Sequence, residues 1–148
     1  MRDEVEELPI FKKAEEIEKL VRHLMEVVPD DNPMLKHQKE FMLGDALTIP
    51  TKIAGAEGGD LYDLRMENAA LIRKAARDLV TGLRGLEMFG CNETQYFDLL
   101  RREVEEFRLL FIEWVAAFDK RKYIPDNWGL FNPPGVGPDD EMPDDMEL

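Results

Sequence analysis

Apolar residues recur along most of the chain at steps of three and four, the spacing of helices that bury one face. Between Pro9 and Val28 the stripe is Ile10, Ala14, Ile17, Val21, Leu24 and Val28, bordered by Leu20. Pro9 suits a helix start, and Pro29-Asp30-Asp31-Asn32 ends the run. Asn32 then reads as an N-cap with Pro33 at the first helical position. The second helix, Pro33 to Ala54, directs Phe41, Met42, Ala46, Ile49 and Ile53 towards a core. Pro50 removes an N–H from its interior and predicts a kink or local break near Thr48.

Gly55-Ala56-Glu57-Gly58-Gly59 supplies the next turn. The third helix, Asp60 to Phe89, carries Leu61, Leu64, Asn68, Leu71, Ala75, Leu79, Leu86 and Phe89 on one stripe, with Gly90 as its C-terminal cap. Asn92 followed by Gln95 has the form of a capping box. The fourth helix, Glu93 to Lys122, has an apolar face of Tyr96, Leu99, Leu100, Val104, Phe107, Leu110, Phe111, Trp114, Val115 and Phe118. Lys120, Arg121 and Lys122 would sit at the negative end of its dipole. At about 1.5 Å per residue, the last two helices would each be roughly 45 Å long. No strand pattern competes. Short connections make consecutive helices antiparallel neighbours, so residues 9–122 are expected to form an all-α, up-down-up-down antiparallel four-helix bundle.

Residues 1–8 read as a charged N-terminal arm and 123–148 as an irregular acidic C-terminal tail rich in Pro and Gly. The last stretch, GPDDEMPDDMEL, is expected to be disordered. Trp128, Leu130 and Phe131, together with Tyr123 and Ile124, are the tail's docking residues. Their own bundle or a neighbouring subunit is favoured over another partner as the surface they cover.

Composition changes the picture in one respect. The 148 residues hold 32 acids against 19 bases, a formal charge of −13. Residues 123–148 contribute seven acids and no base, leaving the other 122 residues at −6. That balance argues against a generic nucleic-acid binder, which needs Lys and Arg for phosphates, without excluding a local basic stripe. The charged opening segment does not resemble a signal peptide, and no run has the apolar length of a membrane span, so a soluble cytoplasmic protein is expected.

The chemistry usual to such bundles is missing from the sequence. A di-iron site requires Glu-x-x-His on two helices, whereas Leu20 precedes His23 and Met34 precedes His37 by three residues. One Cys and two distant His do not make a zinc site, and the single cysteine, Cys91, cannot form an internal disulfide. Cys91 reads as an inert or exposed thiol in a turn. Paired acids such as Glu15-Glu16 and Glu105-Glu106 alternate with bases, as solvated faces do. No cofactor and no enzymatic activity are expected.

The remaining candidate is electrostatic. At about 100° per residue from Leu61, the third helix's stripe centres near 330°, while Arg73, Arg77 and Arg84 fall near 120°, 160° and 140°, almost opposite, flanked by Lys74. On the fourth helix Arg101 and Arg108 share a face, with Arg102 adjacent. Such a stripe either meets phosphates or an acidic protein surface, or is a solvated face with pairs such as Arg101–Glu105. The second is the plainer reading.

Taken together the segments resemble a small bacterial four-helix-bundle family, that of the 23S rRNA intervening-sequence proteins and Avd, the accessory variability determinant of diversity-generating retroelements. MLKHQKEFMLGDALTIPTKIAGAEGG is similar to the family's second helix, with Ile49, Pro50, Ile53 and Ala54 matching its Ile-Pro-x-x-Ile-Ala stretch. ALIRKAARDLVTGLRGLEMFGC is similar to the Avd helix rich in Leu, Ala and bases. DLLRREVEEFRLLFIEWVAAFDK resembles the closing helix, with Trp114, Val115 and Ala116 as its signature. The resemblance covers residues 9–122. It implies a homopentameric ring without enzymatic activity and, for the Avd branch, association with a reverse transcriptase and template RNA in mutagenic retrohoming. The positions matching the basic surface are Arg73, Lys74, Arg77 and Arg84, with Arg101, Arg102 and Arg108 secondary. Avd proteins look strongly basic; the charge of −13 here shifts the expectation from RNA towards protein contact. The alternative is a self-assembling bundle of the intervening-sequence type with no polymerase partner.

Overall fold

The computed structural model describes residues 2–143, with side chains from residue 4 onward. Five helices and no strand are found among the described residues: α1 (Arg2–Glu7), α2 (Pro9–Val27), α3 (Pro33–Glu57), α4 (Tyr62–Met88) and α5 (Thr94–Ala116). The segment read as a charged arm thus carries a short helix, and its Val5 packs against the core with Leu8. The expected α2 stripe is buried at every position, with Met25 added. Pro29 holds the preceding Val28 in extended backbone, and Lys39 Nζ donates to the Val28 carbonyl at 2.8 Å, closing the end of α2. Asn32 caps α3 as its sequence implies, its side chain accepting from Met34 N at 2.8 Å.

Of the expected kink or local break at Pro50, the break is not there: α3 stays helical from Pro33 to Glu57. Ala46, Ile49 and Ile53 on either side of the proline are buried. Two isoleucines at about 1.5–3 kcal/mol each outweigh the roughly 3 kcal/mol that an interior proline costs. Phe41 does not join this face and is 68% exposed, while Leu35 and Ala56 do join it.

On α4 the stripe is turned from its expected position. Ala69, Ile72, Ala76 and Leu83 are buried beside Ala75, Leu79 and Leu86, whereas Leu64, Leu71 and Phe89 are exposed. Helix α3 approaches α4 closely along Gly82, where an added Cβ would lie 2.9 Å from Met42 Sδ and 2.7 Å from Gln38 Nε2. Gly90, at φ +85°, closes α4 in a Schellman turn: its N–H donates to Glu87 O, and that of Cys91 to Leu86 O, at 3.0 Å each. Cys91 is the residue this turn folds inward, and its thiol is buried in the core.

The capping box at Asn92 does not form. Helix α5 begins at Thr94 behind Glu93, with no side-chain cap. It also ends earlier than its sequence pattern suggests, at Ala116. Phe118 folds under Trp114, and the chain then turns so that Lys122 O accepts from Tyr62 N at 2.9 Å while its ammonium meets Asp60 at 2.7 Å. Lys120, Arg121 and Lys122 therefore lie beyond the helix dipole they were expected to complement. The helices span about 40 Å for α4 and about 35 Å for α5.

Helix α3 packs most extensively on α4, α2 lies against both α3 and α5, and α4 meets α5 only sparsely. Beyond Lys122 the chain is irregular. Residues 137–143 contain a turn in which Gly137 N donates to Asp140 Oδ2; residues 144–148, also expected to be disordered, lie outside the described residues.

Candidate docking groove between α4 and α5

Helix α5 is held from the sides away from α4. Lys13 on α2 sits between Glu103 and Glu106 at 2.8 and 2.7 Å, with Glu16 at 3.0 Å, and Trp114 Nε1 donates to Glu57 of α3 at 2.7 Å. The α4-facing shoulder is left open as a groove of about 600 Å³. Its floor is apolar: Ala76, Val80, Val104, Phe107, Phe111 and Ile112. Arg73, Arg77, Arg84 and Arg108 stand around it.

Three of these arginines differ electrostatically from most of the other bases. Arg73, Arg77 and Arg84 are exposed and make no ion pair among the described residues. Arg108 is neutralised by a forked contact with Glu105, at 2.9 and 2.7 Å, which raises the guanidinium's pKa and holds the carboxylate below its ordinary range. The turned α4 stripe explains the geometry. With the core centre shifted by about 40°, the arginines flank the buried face instead of opposing it. Their side chains border apolar surface rather than standing straight into water.

The other sequence candidates are dispersed. Lys74 turns towards α3, pairs with Asp78 at 2.6 Å, and is displaced upward in pKa by that contact. Arg101 reaches Glu87 at 2.7 Å and Asp98 at 3.6 Å, so the expected Arg101–Glu105 pair does not form. Arg102 is exposed and lies within electrostatic reach of Glu106, away from the groove. Val80 and Ile112 escaped the sequence reading. Their signal was the spacing 73, 77, 80, 84 on one side and 105, 108, 112 on the other, which places an apolar residue within each charged stripe.

In the tail, Trp128 is 92% and Leu130 72% exposed, while Phe131 is half-buried. Docking of Trp128 and Leu130 on their own helices is therefore not what occurs. Asp126 shapes the loop that carries them: its carboxylate accepts from Trp128 N at 3.0 Å and Leu130 N at 3.1 Å. Asn132 bonds the Asp126 backbone reciprocally at 2.7 and 3.0 Å, and Gly129 takes φ +71°.

A larger hollow, about 760 Å³, lies where α1, α2 and the end of α3 meet, with Leu8, Phe11 and Pro50 beside Glu4, Glu15 and Glu57. Among the described residues no polar or charged residue is wholly buried, although Asp63 Oδ1 is shut off from solvent without a hydrogen bond; there is no cluster of His, Cys, Asp and Glu fit to hold a metal, and no helix long and apolar enough to cross a membrane. No family model matches the chain, and neither does any curated protein or solved structure.

Proposed function

We propose that this chain is a non-enzymatic, cytoplasmic adaptor of the Avd type: an up-down-up-down antiparallel four-helix bundle that forms a homo-oligomer, a pentamer by the family resemblance, and binds a reverse transcriptase. The antiparallel arrangement is supported by the register of α3 on α4, where Gln38 and Met42 adjoin Gly82 while Gly55 adjoins Asn68. The observation that carries the partner reading is the set of three unpaired arginines around an apolar groove, in a chain whose charge is −13. An apolar floor with a cationic border suits an acidic, partly hydrophobic protein segment better than a phosphate backbone, which offers nothing to the floor. RNA is therefore the secondary partner.

Capture of a diversity-generating retroelement's reverse transcriptase by the immobilised protein tests this. The wild type is expected to retain the polymerase, and the Arg73→Glu, Arg77→Glu, Arg84→Glu variant to lose it. A wild type that captures nothing, or a triple variant that captures equally well, overturns the reading. Exposed Phe41 and Met88, which lie together on the α3–α4 side, across Arg84 from the groove, favour a second reading. In it the chain is a self-assembling bundle of the intervening-sequence type, oligomeric without any polymerase.

A further inference from the structure

The groove and the tail loop are complementary in two independent respects. The groove presents an apolar floor around Val80 and Phe111 and three cations without partners. The tail presents a nearly bare indole and an exposed leucine, with the exposed acids Asp139 and Glu141 following Pro138, which adjoins Gly129 of the loop. Asp126 and Asn132 hold Trp128 and Leu130 outward before any partner arrives, so little further ordering is required on docking. A preformed, exposed Trp is also the side chain that most often dominates a protein interface.

We propose that the Asp126–Asn132 loop of one copy docks into the α4–α5 groove of a second copy, Trp128 and Leu130 covering the floor and the neighbouring exposed acids Asp139 and Glu141 meeting the arginines Arg73, Arg77 and Arg84. The loop as folded does not reach its own groove. It hangs from the Lys122–Tyr62 bond at the start of α4, Trp128 stays solvent-exposed, and Arg77 lies about 22 Å further along that helix. Docking in trans keeps every bond within the loop. A contact of groove on one side and loop on the other is heterologous, so repeating it builds a ring or an open chain rather than a closed dimer. This inference goes beyond the adaptor reading and requires no polymerase; an acidic partner segment entering the groove would displace the tail.

The test uses the full chain alone, by analytical ultracentrifugation and native mass spectrometry, with two variants: Trp128→Ser on the loop side, and Arg77→Glu with Arg84→Glu on the groove side. All of these positions are exposed, and circular dichroism checks that both variants keep their helices. The wild type is expected to assemble, and to do so less as salt rises. Each variant alone should weaken association by about tenfold or more. Mixed together, the two variants should yield a one-to-one dimer, because one supplies an intact loop and the other an intact groove. A monomeric wild type, assembly that neither variant weakens, or a mixture that forms no dimer overturns the proposal. Expansion of the Trp128→Ser monomer without a change of mass state would place the loop on its own chain, and also overturns it.

Discussion

Trp114 and Glu57 join α5 to the last turn of α3: the indole Nε1 donates to the carboxylate at 2.7 Å. The indole also meets Phe118 edge-on at 4.9 Å and Phe111 at 6.0 Å, while Arg65 lies 3.6 Å from Glu57 and 5.5 Å above the Phe118 ring. Trp114→Phe keeps the ring contacts and removes the hydrogen bond; about 1 kcal/mol of stability should be lost, since the carboxylate is partly solvated. Glu57→Ala should cost a similar amount, and the pair should show coupling of about 1 kcal/mol in a double-mutant cycle by urea denaturation. Additive losses would mean that the bond contributes nothing.

Lys13 does the corresponding work between α2 and α5. Its side chain is 16% exposed and Glu103 is 18% exposed, so this is a partly desolvated pair with two further carboxylates around it. Lys13→Met retains the apolar stem but leaves three acids facing one another. A loss of about 1–2 kcal/mol is expected, larger at low salt, whereas Glu106→Gln, at the exposed side of the cluster, should change little. Equal stability of Lys13→Met and wild type across salt concentrations would remove this contact from the account of how α5 is placed.

Local signals carried the sequence reading far, and tertiary ones limited it. The α2 stripe, the Asn32 cap and the Gly90 terminator depend on neighbours in sequence, and all three were legible. Pro50 does not break α3 because its cost is local while the burial of Ile49 and Ile53 that offsets it is not. Leu64 and Leu71 looked more apolar than Ala69 and Ala76, yet the stripe is rotated so that the two alanines are buried and the two leucines exposed. The same rotation brings Arg73, Arg77 and Arg84 to an apolar border that no spacing rule on α4 alone reveals. Lys74 and Arg101 were lost from the site because Asp78 and Glu87 stand within reach.

Asp45 predicts a pH dependence of unusual sign. Burial between α3 and α4 raises its pKa from the ordinary 3.8 to about 6, with help from Asp78 and opposition from Lys74; Gln38 and Phe41 are its other neighbours. The folded state therefore keeps this proton to higher pH than the unfolded chain does, and stability falls as pH rises from about 4 to about 6. Asp45→Asn removes the penalty. At pH 7 it should stabilise by about 1 kcal/mol after allowance for solvent on the open side, and at pH 4 by almost nothing. Denaturation curves of both proteins across this window check it; a gain independent of pH would assign the effect to packing instead. Glu105, Glu106 and Asp119, whose pKa values are lowered by Arg108, Lys13 and Arg121, act in the opposite sense at lower pH, so the difference between variant and wild type is the informative quantity.

Three helical glycines separate backbone propensity from packing. Gly44 faces open space, with nothing within 4 Å of an added Cβ, so Gly44→Ala should stabilise α3 by about 0.5–1 kcal/mol. At Gly85 the nearest atoms are those of the Gln38 side chain at 3.4 Å, which can shift, so Gly85→Ala should be close to neutral. At Gly82 a methyl group would meet Gln38 at 2.7 Å and Met42 at 2.9 Å, and Met42 is wholly buried. Overpacking of about 1–3 kcal/mol then exceeds the helix gain, and Gly82→Ala should lose about 1 kcal/mol, lowering Tm by about 2–4 °C. The order Gly44→Ala, Gly85→Ala, Gly82→Ala in thermal unfolding is the measurable consequence. If Gly82→Ala raised Tm as Gly44→Ala does, Met42 would have room to move, and α3 would not be close-packed on α4 at this point.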